Sequence, residues 1–310
     1  MSYRLLSYAK GREARAGLLV GDTVYDLAAL SRKAAWSSVL AVLNDWPSAK
    51  AKLAQTARAL GSGKSRAKGM PLKRIKLLAP VLYPGNIYCA GANYTDHVAE
   101  MARARGKEPG PTMKERGEKP WHFVKASRSA VVGPDATVKL PEFSKAVDWE
   151  VELVAVIGRR AKDLPVEKAL GCVAGYTIAN DLSARDASRR EGNPPESPFH
   201  FDWLSQKCFD GACPLGPWIV PASDIPDPHA LGIRLWVNDE LMQDSNTSNM
   251  IFNTAEQIAM LSSRVTLHPG DLVLTGTPAG VGMGRKRFLQ PGERVRLWIE
   301  RIGEFSHTIA

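Results

Sequence analysis

Val147-Asp148-Trp149-Glu150-Val151-Glu152-Leu153-Val154-Ala155-Val156-Ile157 ends in a β-branched, apolar run and begins with acids at alternate positions. The apolar end predicts a strand heading into a core. Strand side chains alternate faces, so Glu150 and Glu152 share a face, about 7 Å apart at ~3.3 Å per residue. Two acids on one buried face repel each other and are costly to desolvate unless something positive sits between them. A divalent cation resolves the conflict, and oxygen-only ligands favour Mg²⁺, Mn²⁺ or Ca²⁺ over zinc. The other reading is the solvent face of an edge strand, on which Asp148 merely continues the acidic row as a strand-end residue.

Two further stretches bear on that choice. In Gly175-Tyr176-Thr177-Ile178-Ala179-Asn180-Asp181-Leu182-Ser183-Ala184-Arg185-Asp186, an apolar strand ends at Asp181, a natural third carboxylate for the same cation. Arg185 and Asp186 just beyond it read as substrate contact or simple ion pair. In Tyr94-Thr95-Asp96-His97-Val98-Ala99-Glu100, His97 and Glu100 are three apart and adjacent on a helix turn. They read either as a general-base dyad that activates water or as a surface pair.

Six colinear blocks then carry a resemblance. They are Asn86 to His97, the Asp148-Glu150-Glu152 strand, Gly175 to Asp186, Lys207-Cys208-Phe209-Asp210-Gly211, Val237-Asn238 with Gln243 to Phe252, and Thr275 to Gly282. Together they resemble the fumarylacetoacetate hydrolase superfamily over roughly residues 77–303. The resemblance implies a mixed-β, roll-like catalytic domain, usually in a homodimer. It implies Mg²⁺ or Mn²⁺ on Glu150, Glu152 and Asp181, and His97 with Glu100 as the water-activating dyad. It also implies that Lys207 neutralises enolate charge and that the Thr277 loop holds a substrate carboxylate. Arg185, Gln243 and Lys125 are further candidates for substrate contacts, Lys125 being equally readable as a strand-end charge.

The leading expectation is a metal-dependent hydrolase of carbon-carbon bonds in 1,3-diketo or 2-oxo acids, in aromatic or sugar-acid catabolism. The alternative is a decarboxylase or isomerase of hydroxymuconate- or oxaloacetate-type diacids at the same site, since neither reaction needs the water. A non-catalytic metal-containing binding protein is a third reading, and intact His97, Glu100 and Lys207 argue against it.

Around these motifs, 310 residues with 44% apolar and 24% charged content describe an ordinary globular chain. The expected class is α+β, mostly β, with a small N-terminal α+β module at 1–76 and the catalytic domain at 77–310. Strands are predicted over 131–140, 149–158, 173–180, 233–238, 271–275 and 294–299. The polar stretches 102–120 and 189–206 read as loops at the pocket mouth. No signal-like or membrane-length apolar run occurs, so a cytoplasmic location is expected. The net charge of +9 sits at the front, where residues 1–76 hold 15 Lys and Arg against 4 Asp and Glu. These charges are spread singly without stacking aromatics, so no nucleic-acid partner is expected, only a small carboxylate substrate. The four cysteines lack a C-x-x-C arrangement and read as reduced thiols. His122, His200, His229, His268 and His307 read as surface or capping residues.

Overall fold

The strands predicted at Val173–Asn180 and Arg294–Ile299 form with those bounds, and that over 149–158 forms as Val151–Ile157, in a computed structural model that describes residues 2–310. The stretch 131–140 departs from expectation. Gly133-Pro134-Asp135 turns the chain, Asp135 adopting φ +58°, and leaves only Val131–Val132 and Thr137–Val138. A proline cannot donate to a ladder, so a single strand was not available there.

The large sheet runs in the order Met70–Pro71, Thr23–Asp26, Glu13–Val20, Arg4–Lys10, Cys213–Pro221, Val173–Asn180, Val151–Ile157, Leu272–Leu274, Ile87–Ala90, His122–Lys125. A second sheet, Glu240–Asn246, Gly232–Val237, Arg294–Ile299, Gly303–Ile309, Thr137–Val138, packs against it. Pairing is largely antiparallel, with Leu272–Leu274 parallel to Ile87–Ala90. The sheet-dominated α+β class is therefore what forms. Leu5 pairs with Ile219, so the N-terminal strands extend the same sheet. We retain 1–76 and 77–310 as the proposed units, with the sheet continuous across that division.

Every residue of Val151–Ile157 is buried, so both faces of the strand are covered and Glu152 is 1% exposed. Register then decides what it meets. The strand pairs with Val173–Asn180 from Val151↔Asn180 onward, and the same register resumes outside the sheet at Asp148↔Ser183 and Val147↔Ala184. Between these ladders the pairing opens, bridged by one hydrogen bond from Asp181 N–H to Glu150 O at 2.9 Å. Glu150 and Asp181 face each other at this gap.

Helix Thr95–Ala104 follows a turn tied down by Asn93. Its side chain donates to Phe252 O and Thr275 O and accepts from Phe252 N–H. Among the described residues, no helix is long and apolar enough to cross a membrane. Cys89, Cys172 and Cys213 are buried, Cys208 is half-buried, and all four are free thiols.

The N-terminal hairpin has its own polar anchor. Arg15 donates twice to Asp26 at 3.0 and 3.1 Å, the Tyr8 hydroxyl donates at 3.0 Å, and Ala29 N–H at 3.1 Å. Burial works to raise the Asp26 pKa, but these donors outweigh it and hold the carboxyl below its usual value. Its charge stabilises the fold above the unfolded carboxyl pKa of ~3.9, and that contribution is lost as pH falls through the lower folded value. Asp26→Asn is expected to lower stability by about 1–3 kcal/mol at neutral pH. Urea unfolding should show the difference from wild type shrinking once the pH passes below ~4. Equal midpoints at neutral pH would remove Asp26 from the account.

Candidate active site

At the gap in the ladder, oxygens of Glu150, Glu152 and Asp181 lie within 4.8 Å of one another, and all three residues are buried. Two of them have resident cations. Lys207 Nζ bridges Glu150 at 2.8 Å and Asp181 at 2.7 Å, Arg185 pairs with Glu150, and Lys125 Nζ donates to Asp181 at 2.6 Å. Burial opposes the charge on Glu150, yet Lys207 and Arg185 more than reverse that and hold it far below the usual carboxylate range. Burial likewise works to lower the Lys207 pKa, and Asp181 and Glu150 override it, so its ammonium stays charged.

Glu152 is different. Among the described residues its one hydrogen bond comes from Gly276 N–H at 2.7 Å, and no side-chain cation pairs with it. Burial, with Asp181 and Glu150 adding their repulsion, pushes its pKa well above the ordinary value. Counting Asp148, the cluster sets four buried carboxylates against the three cations Lys125, Arg185 and Lys207. The uncompensated charge rests on Glu152, where three all-oxygen donors converge. This donor set fits a hard divalent cation, and Glu150, Glu152 and Asp181 are the residues that would hold it.

Asp148 is not an idle strand end, nor is the acidic row a solvent face. It is wholly buried and accepts from Arg185 Nε at 2.9 Å, Gly282 N–H at 2.6 Å and Met283 N–H at 3.0 Å. It thereby fixes both Arg185 and the glycine-rich segment after Thr277. Gln243 braces the same segment, its amide donating to Thr277 Oγ1 at 2.9 Å and Pro278 O at 2.8 Å. Gly280, at φ +99°, has no room for a side chain: a Cβ would lie 2.0 Å from Met242 O.

A cavity of about 480 Å³ opens over this floor, and His97, Glu150, Glu152, Arg185, Lys207 and Thr277 all line it. Glu100 stands behind the wall, both carboxylate oxygens accepting Gly280 N–H at 3.0 Å. His97 Nδ1 is 3.7 Å from Glu100, longer than a hydrogen bond, and has no hydrogen-bond partner among the described residues. Burial pushes the Glu100 pKa up, but His97 and the Gly280 N–H more than reverse it. The dyad is thus adjacent without being joined.

Two expected substrate contacts lie elsewhere. The Lys125 side chain is 0% exposed and braces Asp181 and Leu182 O, and Gln243 is equally buried beneath the Thr277 segment. Neither lines the cavity. Arg185 does, as a fixed cation. His307 is a second correction: it is fully buried, its pKa pushed down to about 3 by burial, with Nε2 2.9 Å from Asn180 Nδ2. Asn180 Oδ1 in turn accepts Glu150 N–H at 2.9 Å, so the pair holds the backbone at the ladder gap. His229 does cap as expected, accepting Thr254 N–H at the start of helix Thr254–Arg264, and His268 is exposed, but His200 is buried with Nδ1 2.9 Å from Asn193 O and His122 is half-buried.

A profile of the fumarylacetoacetate (FAA) hydrolase C-terminal domain matches residues 86–310. The chain belongs to the fumarylacetoacetate hydrolase family, as the six sequence blocks implied. Within it, the mitochondrial oxaloacetate tautomerase of Xenopus laevis is 44% identical over 237 residues, spanning 76% of this chain and 68% of that protein. The solved fumarylacetoacetate hydrolase of Exiguobacterium antarcticum aligns with a TM-score of 0.76 at 30% identity over 99% of both chains. A maleylpyruvate hydrolase from Sphingobium, solved with manganese(II) and pyruvate, aligns with a TM-score of 0.75 at 28% identity, over 99% of this chain and 98% of its own.

Removing the uncompensated charge should have opposite effects with and without metal. Glu152→Gln is expected to raise metal-free stability by about 1–3 kcal/mol, because an unpaired buried carboxylate is relieved. Mn²⁺ is expected to raise the melting temperature of the wild type, and Glu152→Gln should abolish that rise. A variant less stable than wild type without metal, yet still stabilised by Mn²⁺, would contradict the charge assignment.

Proposed function

We propose that this chain is a tautomerase of 2-oxo dicarboxylates of the oxaloacetate class, moving one proton between C3 and the C2 oxygen. The observation that supports it is the placing of the cavity's charges. Lys207 and Arg185 offer fixed cations beside the floor, while His97 faces the same space and Glu100 is held on the Gly280 N–H. A tautomerase needs donors for the charge that develops on the C2 oxygen and one base at C3. It needs no joined water-activating dyad.

When bound at Glu150, Glu152 and Asp181, Mg²⁺ or Mn²⁺ supplies a Lewis acid that draws charge from the 2-oxo carbonyl. Arg185 gives a substrate carboxylate a cation that Asp148 and Glu150 hold in place. Lys207 Nζ donates to the C2 oxygen as it becomes negative. With Nδ1 turned towards Glu100, His97 has Nε2 left for the substrate, where it takes the proton from C3 and delivers it to the C2 oxygen, and runs the same transfer backwards in the other direction. The reading is shared with the Xenopus relative's name and displaces hydrolysis as the leading expectation. A small carboxylate substrate and a homodimer belong to the same proposal.

Carbon-carbon hydrolysis is the second reading, favoured by the manganese- and pyruvate-bound maleylpyruvate hydrolase likeness. It requires His97 and Glu100 to close from 3.7 Å to hydrogen-bond distance around a water. The two are separated by mass. Tautomerisation exchanges deuterium into C3 of oxaloacetate in ²H₂O, whereas hydrolysis of an acylpyruvate puts ¹⁸O from water into a carboxylate product. With Mn²⁺-loaded protein, His97→Ala is expected to slow deuterium exchange by about 10²–10⁴-fold while keeping the Mn²⁺-induced thermal shift. Exchange at the wild-type rate in that variant would sink the mechanism, and ¹⁸O incorporation without exchange would install the hydrolase instead.

A further inference from the structure

One wall of the cavity has no part in proton transfer. Trp121 and Phe123 flank the start of the edge strand His122–Lys125, and Trp203 opens helix Trp203–Lys207. Their rings form a continuous aromatic surface. Trp121 and Trp203 lie edge-on at 5.3 Å, Phe123 and Trp203 stack at 5.2 Å and 14°, and Trp121 stands 6.0 Å from Phe123.

Trp121 and Trp203 are not core filling, while Phe123 backs them from the edge of the core. Trp36 and Trp149 are 1% and 0% exposed, whereas Trp121 and Trp203 keep 39% and 38% of their surface open, and all three wall rings line the cavity. The wall starts at the reacting end, because Lys207 Nζ lies 4.9 Å from the Phe123 centroid. Val98, Met101 and Ala102 of helix Thr95–Ala104 add aliphatic lining to the same cavity. Beneath Trp121 the chain is Ala90-Gly91-Ala92, and a Cβ on Gly91 would lie 2.1 Å from the indole. The backbone is therefore stripped of side chain where the ring lies across it. The result is a slot beside the charged floor, lined by aromatic and aliphatic side chains together with the exposed Arg105 and Lys107.

A four-carbon diacid offers these surfaces nothing apolar to cover. We infer that the slot is a subsite for a planar aryl arm, so that the chain takes 2-oxo acids carrying an aromatic ring on C3 as well as the oxaloacetate class. This rests on the tautomerase reading and extends it: the same proton passes from C3 to the C2 oxygen, with no bond broken in the arm. Aryl burial against stacked rings favours such a ligand through both area and ring geometry.

Phenylpyruvate and pyruvate, which differ by the ring alone, test it on Mn²⁺-loaded protein by calorimetric titration. Phenylpyruvate is expected to bind at least ~10-fold more tightly than pyruvate. In Trp203→Ala, and independently in Trp121→Leu, that ratio should fall to within about 3-fold. Equal affinities in the wild type, or a loss shared equally by both ligands in both variants, would overturn the aryl subsite. So would a Trp203→Ala variant that becomes monomeric in sedimentation while the ratio is unchanged, since the wall would then be covered by a second copy of the chain. Deuterium exchange into oxaloacetate, measured on the same preparation, reports separately on the tautomerase reading: its absence overturns that reading while the affinity ratio still judges the slot.

Discussion

Glu152 is the second residue of a strand buried on both faces and meets solvent only through the cavity it lines, and it imposes that condition on everything around it. Moving a carboxylate into such surroundings is costly unless positive charge or donors meet it. The molecule answers with a break in the ladder between Glu150 and Asp181, into which Lys207, Arg185 and Lys125 insert their charges. Even so the cations number one fewer than the acids. Whatever binds there enters a space already short of positive charge, which is a better basis for affinity than geometry alone.

The surrounding elements are organised to keep that imbalance from relaxing. Asp148 and Glu100 take hold of the same glycine-rich segment from two directions, through the backbone of residues 280–283. Gln243 adds a third tie at Thr277 and Pro278. On the far side, the unprotonated ring of His307 fixes Asn180, and Asn180 fixes the Glu150 backbone. Buried polar groups tied together in this way favour one arrangement, so the three carboxylates are held close.

Much of this was legible in the chain. The alternation of Asp148, Glu150 and Glu152 marks a shared face, and Val173–Asn180 ends one residue before Asp181, the acid that joins them. What the letters lacked was the third dimension. Lys125 and Gln243 are polar residues near motifs, and only the packing reveals that they brace the site from behind. His307 sits in Gly303–Ile309, whose mixed burial gives no clean alternation from which to read an inward imidazole. The His97–Glu100 spacing is right for a dyad, yet the partner that captures Glu100 is 180 residues away in the chain. Metal, lysine and imidazole serve hydrolysis and tautomerisation alike, so residue types alone were silent on the reaction.

The tie between Asn180 and His307 spans 127 residues, and that from Gly276 to Glu152 spans 124. Seen from the ribosome, the acids of the floor are made well before several of the groups that hold them. A nascent chain that has passed Asp181 carries its acidic strands with Lys207, Gly276 and His307 still to come. Contacts of such long separation form late, after loop closure has been met. The centre cannot close before those later residues are made, and until then its acidic strands carry unpaired edges of the kind that invite association.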